Sequence, residues 1–119
     1  MSLAYLKSVK MMYKSDKTLK LWYRQLNKKW HNNELPDDTI VCWYATPRSV
    51  VALTEKLEDG RFRILFHPSM YEFHKYIKLT LHHEMLHVKH WRPGLVDHGR
   101  VFQQSMLELA SRGAFNSLW

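Results

Sequence analysis

The five-residue run His83-Glu84-Met85-Leu86-His87 constrains this chain more than any other segment. Two histidines four apart lie on one side of an α-helix, about 6 Å from each other, so one ion can hold both rings if the segment is helical. The flanking residues supply the helix. Apolar Ile77, Leu81, Met85 and Val88 recur at spacings of four, four and three, the stripe of a helix buried along one face.

The chemistry this pattern suits is that of zinc. Neutral imidazole is a borderline-soft donor, and a catalytic zinc takes three protein ligands and keeps a fourth position open. The metal lowers the pKa of water from about 15.7 towards roughly 7, and Glu84, one residue past the first ligand, is placed to take the proton. The expected reaction is attack on an amide carbonyl. Three residues downstream are considered for the third ligand. His90 lies seven residues past His83, about 10.5 Å along the axis, too far to share one ion with bonds near 2.0–2.1 Å. His98 follows Pro93-Gly94, which ends the helix and lets the chain fold back. Glu108 would lie on a second helix. Zinc's ligand preferences favour His98, and Glu108 stays open as the alternative.

His83-Glu84-Met85-Leu86-His87, a short linker and then His98-Gly99-Arg100-Val101-Phe102 resemble the SprT-like zinc metallopeptidases, whose pattern is HExxH followed by HGxxF or HGxxW. The aromatic-rich segment around Leu21-Trp22-Tyr23, then Asn32-Asn33-Glu34-Leu35-Pro36 leading to a strand with Trp43, is similar to that family's N-terminal half. The likeness runs over about residues 19–110. It implies zinc on His83, His87 and His98, Glu84 as the catalytic residue, and a protein or peptide substrate. Spartan-type members cleave proteins bound or crosslinked to DNA. Two departures stand out. The chain has one cysteine, Cys42, so the four-cysteine zinc ribbon of many relatives is missing, and ten residues between His87 and His98 make a shorter gap than in Spartan-type members.

Charge is unevenly placed. Of a net +7, residues 1–33 carry Lys7, Lys10, Lys14, Lys17, Lys20, Arg24, Lys28 and Lys29 against Asp16 alone, whereas residues 34–119 balance ten basic with ten acidic groups. The cations recur every three or four residues beside an apolar stripe of Leu19, Trp22, Leu26 and Trp30, which predicts an amphipathic helix with a cationic outer face. Such a face is either simply solvated or a contact for a polyanion. Nucleic acid is the expected partner, through Lys10, Lys14, Lys17 and Arg24. Tyr5, Tyr13 and Tyr23 are candidates for base stacking, with packing as their other role.

Between the two helices lie strand signals. Leu35-Pro36-Asp37-Asp38 is expected to break the first helix, and Thr39–Tyr44 is β-branched and aromatic. Val50–Leu57 and Phe62–Phe66, joined across Glu58-Asp59-Gly60, predict a hairpin. By analogy with zinc peptidases the third strand, running into His67-Pro68, is the expected edge on which an extended substrate would pair. Tyr71, His90 and Arg100 are candidates to assist an oxyanion; Phe102, Met106 and Leu109 are expected to face a core.

The predicted fold is a single α+β, zincin-like domain over residues 1–119, with an N-terminal basic helix, a small three-stranded sheet, the HExxH helix and a C-terminal helix. With 45% hydrophobic and 24% charged residues it reads as a soluble protein with a real core. Lys7, Lys10 and Lys14 interrupt any signal-peptide run and no apolar stretch would span a bilayer, so cytoplasmic residence without membrane contact is expected. The expected activity is zinc-dependent peptide-bond hydrolysis. The rival readings are a nucleic-acid-binding module with a structural zinc and an adaptor that keeps the fold with little hydrolysis.

Overall fold

Helix α1 (Lys17–His31) starts where Asp16, in extended backbone, accepts the Leu19 amide at 3.0 Å. It stops at Asn32 and Asn33, both left-handed at φ 51° and 58°, a conformation Asn tolerates better than most residues. The helix therefore ends before Leu35-Pro36-Asp37-Asp38, the segment expected to break it. These statements come from a computed structural model that describes residues 14–46, 50–91 and 99–116.

The fold is α+β. Strands β1 (Ile40–Trp43), β2 (Ala52–Lys56) and β3 (Phe62–Phe66) form one mixed sheet in the order β1-β3-β2, with β3 parallel to β1 and antiparallel to β2. The expected hairpin is present. The expected edge is not: β3 is paired on both sides, and the edges are β1 and β2. The physical reason lies in the strand itself. Ile64, Leu65 and Phe66 are all buried, as is Arg63, whose charge is met by the cross-strand Glu55 at 2.8 Å. A strand buried on both faces belongs in the middle of a sheet.

A 3-10 turn (Pro68–Glu72), capped by His67 accepting the Ser69 amide at 3.1 Å, leads into α2 (His74–Lys89). Ile77, Leu81, Met85 and Val88 of α2 are all buried in one cluster with Leu19, Tyr23, Val41, Ile64 and Phe66. Leu86, the next position round the helix, enters a second cluster with Phe102, Leu109 and Phe115, built by α3 (Arg100–Ser111) and the turn after it. Phe102 and Leu109 thus face a core, with Met106 partly buried against them.

On α1 the deepest positions are Leu19, Tyr23, Asn27 and His31, one residue round from the expected stripe; Trp22, Leu26 and Trp30 flank it half-buried. Three of the four are polar and each is buried for its own reason. The Tyr23 hydroxyl lies 2.8 Å from the Pro36 carbonyl and 3.0 Å from Thr39 Oγ1, and its pKa is pushed up to about 12, chiefly by burial. Asn27 clamps Leu35, donating to its carbonyl at 3.0 Å and accepting its amide at 3.1 Å. His31 is held neutral, its pKa pushed down to about 4 by burial and then by Lys89, Arg112 and His90. No helix among the described residues is long and apolar enough to cross a membrane.

Candidate metal centre

Two sides of α2 are taken by the two clusters, and a third carries His83 and His87. One helical turn brings their Nε2 atoms to 3.2 Å. Ring nitrogens that close are either hydrogen-bonded or ready to share an ion. The separation is compatible with both nitrogens bonding one zinc at about 2.0–2.1 Å. His83, Glu84 and His87 together form a group that could hold a metal ion, each offering an atom within 4.8 Å of the others.

Phe102 supports the pair from α3. Its ring centroid is 5.0 Å from that of His83 and 4.8 Å from that of His87, which restricts how either imidazole can rotate. The helix carrying Phe102 begins directly after Gly99, so the aromatic position of the downstream motif is packed on the upstream pair.

Glu84 is 6% exposed and its Oε2 accepts the Thr54 hydroxyl at 2.6 Å. Burial raises its pKa, and the Thr54 bond works the other way by favouring the carboxylate. Thr54 lies on β2, so the edge strand that meets α2 beside this group is β2. Thr54 belongs to no motif in the sequence. The signal it offered was weak: alternation puts Ala52 and Thr54 on the same face of the strand, and nothing local says which helix that face meets.

The other expected site residues fall as follows. His98 lies outside the described residues, as does Lys10. The Glu108 side chain is exposed, 4.0 Å from the Arg112 guanidinium, and is not in the group with His83 and His87. His90 Nε2 is 2.8 Å from Ser105 Oγ, a link between the end of α2 and α3. Tyr71 and Arg100 are exposed. On the cationic face, Arg24 pairs with Asp37 at 3.0 Å, and the Lys20 ammonium donates to the Asp37 and Thr39 carbonyls, so both are tied to the loop before β1. Burial lowers the Lys20 pKa. Lys14 and Lys17 are exposed. Tyr23 is fully buried and so unavailable to a base; Tyr5 and Tyr13 lie outside the described residues. Cys42 is a buried strand residue whose thiol pKa is pushed up to about 11, first by burial.

No family model, curated protein or solved structure matches this chain.

Proposed function

We propose that the chain is a zinc-dependent peptidase with a zincin-like, SprT-like core, acting on protein or peptide substrates. The observation that carries this reading is the 3.2 Å approach of His83 Nε2 and His87 Nε2 on a buried helix with Glu84 between them. His83 and His87 are two of the ligands, and His98 is the third, with Glu108 as its rival. Zinc held there supplies Lewis acidity and a more acidic water. Glu84 takes a proton from the attacking water and returns it to the leaving amine, a role suited to a carboxyl whose pKa burial has raised. Phe102 keeps the two imidazoles in register. An extended substrate pairs along the outer edge of β2.

The bond from Thr54 to Glu84 favours a second reading, in which the zinc is structural and Glu84 is a packing group. Metal analysis together with a proteolysis assay separates the two. Glu84→Gln keeps zinc and loses cleavage; cleavage equal to wild type rules out Glu84 as the base. His98→Ala loses zinc and Glu108→Ala keeps it; the reverse result transfers the third ligand to Glu108.

A further inference from the structure

One strip of α2 is left between its two apolar flanks. At about 100° per residue, Tyr76, Thr80, His83 and His87 fall within about 60° of one another on the helix. Leu79 and Leu86 lie to one side and enter the cluster built with α3, whereas Ile77, Leu81, Met85 and Val88 lie to the other and enter the cluster that includes the sheet. The two histidines of the candidate metal centre therefore occupy one end of the strip and Tyr76 the other. From Tyr76 to His83 the axis rises about 10.5 Å.

Burial changes along the strip. His83 and His87 are half-buried, with Phe102 of α3 packed against both rings. Thr80 is half-buried too, and its short side chain leaves the floor low between the Tyr76 ring and His83. Tyr76 is 48% exposed, and its side chain makes no hydrogen bond or ring contact among the described residues. Phe73 lies one turn ahead, 52% exposed, its carbonyl accepting the Tyr76 amide at 2.8 Å. Tyr71, by contrast, has its ring against Trp43 and His74. A single exposed ring is ordinary on a protein surface, but Tyr76 is also continuous with the strip that holds His83 and His87.

We propose that Tyr76, with Thr80 at its foot and Phe73 beside it, is a subsite that selects a large apolar side chain of a peptide substrate. The inference rests on the peptidase reading and names the substrate feature that reading leaves open. An extended chain advances about 3.3 Å per residue, so a side chain seated on Tyr76 belongs about three residues from the bond cleaved at His83 and His87. An aromatic ring holds an aliphatic or aromatic side chain by burying apolar surface on both. None of Phe73, Tyr76 and Thr80 carries a charge with which to pair a charged one.

The test digests a random-sequence peptide mixture with the intact, zinc-loaded chain and reads the cleaved bonds by mass spectrometry. Leu, Met, Phe or Tyr should be enriched at the third residue on one side of the cleaved bond. Tyr76→Ala should erase the enrichment and raise KM about tenfold rather than lower kcat, because the contact is remote from the reacting bond. Tyr76→Phe keeps the ring and should restore the enrichment. Binding is read separately by fluorescence anisotropy on Glu84→Gln, with fluorescein-labelled Ala-Ser decapeptides that carry or lack one central Phe. The Phe peptide should bind about tenfold more tightly, and adding Tyr76→Ala should remove the difference. Equal affinity for the two peptides, or a wild-type cleavage profile in Tyr76→Ala, would overturn the subsite while leaving the peptidase reading in place. No cleavage by the wild type would overturn the peptidase reading, and the selection of substrate with it.

Discussion

Thr54→Val removes the hydroxyl that meets both the carboxylate and, at 3.3 Å, the backbone carbonyl of Glu84 in the candidate metal centre, and its cost can be worked through in energy. Thr54 Oγ1 donates to Glu84 Oε2 at 2.6 Å, and both residues are buried. Valine matches threonine in shape, so the substitution removes the donor and leaves packing nearly unchanged. A hydrogen bond to a charged group is worth about 1.5–3 kcal/mol, against about 0.5–1.5 kcal/mol for a neutral pair. In metal-free protein at neutral pH, Thr54→Val should therefore cost about 1.5–3 kcal/mol in urea unfolding. In a Glu84→Gln background it should cost only about 0.5–1.5 kcal/mol, because the acceptor is then an uncharged amide. The double-mutant cycle leaves a coupling of about 1–2 kcal/mol that belongs to the charged bond. A coupling within about 0.5 kcal/mol of zero would show that the Thr54 hydroxyl does not bond to an ionised Glu84. On the peptidase reading the zinc-loaded variant should keep its metal and lose kcat rather than gain KM, whereas on the structural-zinc reading it should change stability alone, since Thr54 bonds to Glu84 and to neither His83 nor His87.

Three further expectations concern the frame. Asn27→Ala strips both polar groups from buried Leu35, and at about 1–2 kcal/mol for each bond it should lower the melting temperature by on the order of 10 °C; a drop below about 3 °C would sink the clamp. Because His31 is held neutral, its stabilising effect is complete above its ordinary pKa of 6.5 and is lost as pH falls towards about 4, up to about 3 kcal/mol at about 1.4 kcal/mol per pH unit. His31→Leu should flatten the fall in stability between pH 7 and 4 by about that amount, and an unchanged slope would show that His31 is already charged in the fold. Met85→Ala, at a fully buried site, should cost about 2–5 kcal/mol, whereas Leu107→Ala, at a side chain 70% exposed, should stay within about 0.5 kcal/mol; similar costs would contradict the core assignment.

What was legible in the sequence tracks periodicity. The α2 stripe of Ile77, Leu81, Met85 and Val88 is buried at all four positions, and β3 runs from Phe62 to Phe66 as alternation and composition indicate. What was not legible is pairing between segments. A period of two says which residues share a face but not which strand lies in the middle, and the analogy that made β3 an edge could not show that Glu55 neutralises Arg63 across the hairpin and lets β3 be buried. On α1, ranking by hydrophobicity favoured Trp22, Leu26 and Trp30, whereas the fold buries Tyr23, Asn27 and His31, the first two because distant backbone groups satisfy them. Thr54 was missed for the same reason: its importance comes from a residue thirty positions away.

The placement of the candidate metal centre follows from how α2 is divided. Its apolar residues feed two separate clusters, so the helix is gripped on two sides and cannot roll, and the remaining surface is held in fixed register. His83 and His74 are nine residues apart, which at about 100° per residue sets them on opposite sides of the helix. His83 and His87 therefore face α3 and Phe102, while His74 and Lys78 face Trp22 of α1. The two histidines of the candidate metal centre and the residues that face α1 thus lie on one rigid helix without sharing a surface, so a substitution at His74 or Lys78 should leave the His83–His87 approach unchanged.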